Sequence, residues 1–239
     1  MIDTILFDLD GTLLPLDMER FIALYFGEMA AYFDGMIEPK LLVKHILTAT
    51  AAMVDNVEHR TNETVFMECF SRLIQSDLAV YQARFQKFYD QGFIKTKAAT
   101  MESQVMKQSV ALLKQKGYHL AIATNPIFPR QAIAQRVAWA GFALDDFCYI
   151  TSYEQNHYCK PQPQFYQEVL AALGKKPAEC LMVGNDVEED LVARDIGIKT
   201  FLITDYLITR SQRENDSDYQ GNYQDFYRFV REECKLARN

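Results

Sequence analysis

Long apolar runs are missing from this chain. The longest, residues 21–26, falls far short of the ~20 residues that a helix needs to cross a membrane, so no membrane partner is expected. Glycine and proline are scarce, 10 and 7 among 239 residues, which excludes collagen-like and low-complexity chains. Charge of one sign never gathers into a block. The 25 basic and 32 acidic residues leave a net charge of -7, and without a basic arm no nucleic-acid partner is expected. Cysteine is few and odd in number. Cys69, Cys148, Cys159, Cys180 and Cys234 show no C-x-x-C spacing, which argues against a disulfide framework or a zinc knuckle and predicts reduced thiols in the cytoplasm. His45, His59, His119 and His157 form no H-x-x-H or H-x-x-x-H pair, so no histidine metal centre is expected. The opening residues, Met1-Ile2-Asp3-Thr4-Ile5, lack the basic and long apolar regions of a secretory signal.

What the chain does have is apolar content, 49% of its residues, enough for one large domain or two modest ones. Residues 4–7 form a short, partly β-branched apolar run that predicts a strand buried on both faces. Residues 17–93 change pattern. Phe21, Leu24, Tyr25 and Met29, then Leu42 and Ile46, then Phe66, Phe70 and Leu73, then residues 78–88 recur at helical spacing, predicting about four helices without a strand between them. After a linker near 92–99 come helices over 101–116, 129–140, 163–173 and 188–195, alternating with strands over 120–123, 147–150, 181–183 and 200–203. Such alternation predicts a parallel α/β sheet with helices on both faces, and the aromatic tail from about residue 219 predicts a terminal helix.

In a parallel sheet, ligands bind beyond the carboxyl ends of the strands. Those ends are polar here: Asp8-Leu9-Asp10-Gly11-Thr12 after the first strand, Thr124-Asn125 after the second, Lys160 beyond the third, and Gly184-Asn185-Asp186 with Asp190 after the fourth. Asp8 and Asp10, two apart on extended chain, project to the same side. Two carboxylates in one crevice repel unless a cation or a shared proton intervenes, so the pair is either a divalent-metal site or an acid/base dyad.

Taken in order, Phe7-Asp8-Leu9-Asp10-Gly11-Thr12-Leu13-Leu14, Thr124-Asn125, Lys160-Pro161 and Gly184-Asn185-Asp186 with Asp190 resemble the haloacid dehalogenase superfamily. The resemblance implies a Rossmann-like three-layer α/β core, residues 1–14 plus 98–239, with an inserted all-helical cap, residues 15–97. It implies that Asp8 is the nucleophile that becomes an aspartyl-phosphate and that Asp10 is the general acid/base. Thr124 and Asn125 would bind the phosphate, and Lys160 would offset the charge of nucleophile and phosphate. Mg2+ would bind through Asp8, the backbone carbonyl of Asp10 and an acidic residue of the last motif. That last ligand has two candidates: Asp186, with Asp190 in support, or Asn185 in place of the usual first aspartate.

Asp10 favours phosphoryl chemistry, since a departing halide needs no acid two residues after the nucleophile. A Mg2+-dependent phosphatase acting on a small phosphorylated metabolite is therefore the expected activity. A sugar-phosphate phosphomutase and an inactive binding module on the same fold are the alternatives, and a monomer is the default oligomeric state. Beside the site, Cys159 is expected to be a packed, inert thiol, and Phe21, Tyr25 and Phe26 to be core. The cations Arg20, Lys44 and Arg60 are expected to be solvated and Arg130 to stand off the phosphate.

Overall fold

The computed structural model describes residues 2–210 and 214–235. Strand β1 (Thr4–Phe7) is buried along its whole length and occupies the middle of a six-stranded sheet. The other strands are β2 (His119–Ile122), β3 (Tyr149–Ile150), β4 (Cys180–Gly184), β5 (Lys199–Ile203) and β6 (Tyr219–Gly221). They run in the order β3-β2-β1-β4-β5-β6, all parallel. Thr4 sits in register with His119 on one side and with Cys180 on the other.

Alternate side chains of these strands feed two different cores, as the two-residue period of a strand requires. Ile5 and Phe7 join one core with Leu120, Ile122 and Val183, whereas Leu6 joins Ala121 and Met182 on the opposite face. The first face is covered by α5 (Gln104–Gln115), α6 (Arg130–Trp139) and α8 (Tyr223–Glu232). The second is covered by α7 (Pro163–Leu173) and a 3-10 turn, Leu191–Ile196. The result is the three-layer α/β sandwich that the alternating pattern predicts.

Between β1 and α5 the chain forms α1 (Met18–Tyr32), α2 (Pro39–Val54), α3 (Asn62–Ile74) and α4 (Leu78–Lys87). Each starts on a side chain that accepts a backbone N–H of the first turn: Asp17, Glu38, Thr61 and Asp77. The two connections to the sheet domain lie side by side. Asp17 N–H donates to the Ala99 carbonyl and Met101 N–H to the Pro15 carbonyl, both at 3.0 Å.

Three expectations from the sequence need correction. Residues 92–99 are not an open linker: a π-turn, Phe88–Gly92, runs into a 3-10 helix, Phe93–Ala99, because Phe88 and Phe93 are apolar enough to be drawn fully into the core. Residues 188–195 do not make an α-helix; turns lead into the 3-10 segment, with Asp186 and Asp190 taking up the local N–H groups. The tail opens with the edge strand β6, and its helix starts only after Asn222, which caps it.

Phe93 welds the helical insert to the sheet domain. Its ring stacks on Trp139 of α6 at 5.3 Å and meets Phe21, Tyr25, Phe88, Tyr89 and Phe128. Phe93→Ala should therefore destabilise the protein by about 3–5 kcal/mol in urea unfolding. A loss below about 1 kcal/mol would mean that the two parts do not depend on this ring cluster.

Candidate active site

The strand order reverses between β2 and β4, on either side of β1, and that is where an open parallel sheet offers a crevice. Asp8 follows β1 directly, and its N–H still donates to the Val183 carbonyl at 2.8 Å, so the nucleophile candidate is fixed by the sheet ladder itself. Gly11 then turns the chain away with φ +82°, and a Cβ there would overlap the Asn185 side chain.

Lys160 lies at the base of the crevice, 1% exposed. Its Nζ donates to Asp8 Oδ1 at 3.0 Å and to Asp190 Oδ1 at 2.6 Å. Burial disfavours the ammonium, but Asp190 and Asp8 outweigh it and hold Lys160 well above the usual lysine value. Burial likewise pushes Asp8 up to about 7, Lys160 pulling it down while Asp190 and Asp10 push it further up. The Asn125 side chain secures the lysine loop. Its Oδ1 accepts the Lys160 N–H at 3.2 Å, and its Nδ2 donates to Glu189 Oε2 at 3.1 Å. Thr124, 4% exposed, lines the cavity beside Asp8.

Asp10 has a partner that the sequence did not announce. Its Oδ2 accepts a short hydrogen bond from Arg136 Nη1, and Arg136, 1% exposed, lies over the Phe128 ring at 4.3 Å. Among the described residues, Asp10 Oδ1 and Arg136 Nη2 are both buried without a partner. A group entering from the cavity with both an acceptor and a donor would satisfy the two together. Burial raises the Asp10 carboxyl above its ordinary range, with Arg136 and then Lys160 opposing. Arg136 falls in helical register with Ala132, Ile133 and Val137, all buried, so an arginine on an apolar stripe was the signal available.

The last motif divides its work. Asn185 accepts the Thr12 hydroxyl at 3.0 Å and donates to the Tyr206 carbonyl at 2.6 Å, so its amide is a brace between loops. Asp190 Oδ2 accepts the Asp186 N–H at 2.9 Å while its other oxygen holds Lys160. Asp186 uses Oδ1 to cap the N–H groups of Glu188 and Glu189, both at 3.0 Å, and turns Oδ2 to Arg210 Nη2 at 2.6 Å. Arg210 and Glu189, which also line the cavity, were not singled out from the sequence. Burial pushes Glu189 up to about 7, with Lys160 lowering and Asp186 and Asp190 raising it.

Among the described residues, no three His, Cys, Asp or Glu side chains converge as a ready-made metal-binding group. The donor chemistry nonetheless fits a hard divalent cation that takes two carboxylates, a backbone oxygen and waters. Among the described residues, five carboxylates, Asp8, Asp10, Asp186, Glu189 and Asp190, meet three cations, Lys160, Arg136 and Arg210. The orphaned Asp10 Oδ1 is a further sign of anionic oxygen in excess.

The helical insert closes the crevice from above. Asn62, fully buried at the start of α3, donates its N–H to the Asn156 carbonyl at 2.8 Å and its Nδ2 to the Pro126 carbonyl at 3.2 Å. The partly open cavity, about 340 Å³, has Asp8, Asp10, Thr124, Asn125, Asn185, Asp186 and Asp190 on its wall. Lys160 is behind Asp8 and off that wall. Cys159 is buried against Asn62, and burial raises its thiol, as befits an inert cysteine. Arg20, Lys44, Arg60 and Arg130 do not reach the cavity, and Glu154 accepts the Arg130 N–H at the start of α6. Phe21, Tyr25 and Phe26 are more than core, because they also line the cavity.

Since Asn185 braces two loops, Asn185→Ala should cost about 1–3 kcal/mol of stability in urea unfolding. A neutral result would leave Asn185 free for a ligand role.

Comparison with known proteins agrees with this geometry. Residues 2–206 match the family model described as haloacid dehalogenase-like hydrolase. Pyrophosphatase PpaX of Halalkalibacterium halodurans is 26% identical over 224 residues, covering 91% of each chain. Among solved structures, a HAD phosphatase from Thermococcus onnurineus aligns over 99% of this chain and 100% of its own, at 19% identity and TM-score 0.63. L-2-haloacid dehalogenase from Xanthobacter autotrophicus aligns over 97% and 99%, at 18% identity and TM-score 0.61. Neighbours of both chemistries share the fold, so the fold leaves the reaction to the residues at the strand ends. With the family model spanning most of the chain, the protein belongs to the haloacid dehalogenase-like hydrolases.

Proposed function

We propose that the protein is a Mg2+-dependent phosphatase that hydrolyses a small phosphomonoester in the cytoplasm. The observation that carries this is that Asp8 and Asp10 lie at one end of a capped cavity, each tied by one oxygen to a buried cation. Residues 15–97 serve as the cap and residues 1–14 plus 98–239 as the core.

Lys160 fixes Asp8 Oδ1, leaving Oδ2 to attack phosphorus. As the P–O bond to the alcohol breaks, Asp10 gives its proton to the leaving oxygen, and the raised affinity of this buried carboxyl for a proton suits an acid. The Asp10 carboxylate then takes a proton from the water that attacks the aspartyl-phosphate, and inorganic phosphate leaves with Asp8 restored. Thr124 donates to the phosphoryl oxygens. Asp8, the Asp10 carbonyl and Asp186 would hold the Mg2+. A cation held there would supply neutralisation of charge on the phosphoryl oxygens. Removing phosphate rather than halide follows from Asp10, because an acid at that position serves an alkoxide leaving group.

Asp8→Asn should fold and lose at least about 10^3-fold in phosphate release from p-nitrophenyl phosphate with Mg2+. Asp10→Asn should lose about 10^2-fold or more with alkyl phosphates and much less with the nitrophenyl ester, whose leaving group needs little protonation. Near-wild-type Asp8→Asn, or halide release from 2-chloropropionate by the wild type, would overturn the proposal.

A further inference from the structure

The cavity has two unlike halves. Among the described residues, the charged side chains on its wall all belong to the sheet domain: Asp8, Asp10, Asp186, Glu189, Asp190 and Arg210 in strand-end loops, and Arg136 on α6. The helical insert contributes none. Its share of the wall is aromatic and aliphatic, including Phe21, Phe26, Ile46, Phe66 and Met67, and Thr50 is its one aliphatic hydroxyl. The two tyrosines there, Tyr25 and Tyr89, bond each other at 2.9 Å.

Outside the enclosed part the apolar surface continues. Met18, Ile22 and Leu47 are 39%, 47% and 54% exposed, yet all three line the same cavity. Large apolar side chains left open at the lip of a site are surface that a ligand can cover.

A sugar or a second phosphate placed in this half would leave its hydroxyls or charges without partners, which is costly away from water. Arg210, a part-exposed cation on the wall, stands at the polar end between Asp186 and Glu189, 2.6 and 3.6 Å away, and not along the insert. Given the phosphomonoesterase reading above, on which this rests, we propose that the substrate is the phosphate ester of an apolar alcohol, an extended alkyl or aryl chain seated along the insert. A pyrophosphate, the kind of substrate that the name of the pyrophosphatase PpaX relative gives, does not suit this wall.

The test separates binding from turnover. Alkylphosphonates from methyl to octyl, whose C–P bond resists hydrolysis, are titrated calorimetrically into the full chain with Mg2+, below micellar concentrations. Kd should fall about two- to fourfold per methylene until the chain fills the groove. Ile22→Asp and Leu47→Asp, at exposed positions where folding is not at stake, should flatten that gradient. Affinity independent of length, no binding at any length, a gradient unmoved by both variants, or tighter binding of methylene bisphosphonate than of octylphosphonate would each overturn the proposal. Turnover of the matching alkyl phosphates, which share one leaving-group chemistry, is read separately. A binding gradient without turnover would uphold the apolar groove and sink the phosphatase reading; turnover with a flat gradient would do the reverse.

Discussion

One ammonium group, Lys160 Nζ, buried between Asp8 and Asp190, sets the arrangement of the whole crevice. Carboxylates crowd there because two neighbouring strands, β1 and β4, end together, and each would repel the others in a setting poor in water. Lys160 offsets two of them at once. Through Asp190 it also reaches the turn after β4, since the second oxygen of Asp190 accepts the Asp186 N–H. The close fit shows at Gly184, where a Cβ would overlap the Asp190 carboxylate. A lysine from beyond β3 thus ties the end of β1 to the end of β4.

Arg136 does for Asp10 what Lys160 does for Asp8, but from α6 rather than from a strand-end loop. The two buried cations leave the two aspartates with different surroundings. Asp8 lines the cavity with one oxygen on Lys160, whereas Asp10 keeps a buried oxygen without a partner. That asymmetry lets one aspartate act as nucleophile and the other as proton carrier, by the general rule that environment separates the roles of paired carboxylates. Asn62 adds the remaining constraint. By bonding to carbonyls of both strand-end loops, after β2 and after β3, it keeps the insert over the site.

Much of this was legible in the sequence because burial leaves plain marks. The 4–7 run is a fully buried strand and the 163–173 stretch is α7, since apolar residues at strand or helix spacing, with a proline at the start, admit few other packings. The strand-end motifs also led to one crevice. Edge strand β6 could not be found this way: Tyr219, Gln220 and Gly221 are largely exposed and are held by backbone pairing to β5, which has no side-chain pattern. The 188–195 segment fits the strand–helix alternation as a helix, but Asp186 and Asp190 claim the N–H groups that would start one. Arg136 escaped notice because its partner lies 126 residues away, and only the fold brings the two together. The apolar half of the cavity was hidden for a similar reason, since an aromatic stripe facing a cavity has the same spacing as one facing a core.

Trapping the covalent intermediate tests the central claim most directly. The protein is mixed with Mg2+ and a phosphomonoester, quenched in acid during turnover, digested and analysed by mass spectrometry. A phosphorylated peptide containing Asp8, absent from Asp8→Asn, is the result expected of a nucleophilic aspartate steadied by Lys160. Steady phosphate release with no phosphorylated Asp8 at any quench time, together with activity retained in Asp8→Asn, would contradict it.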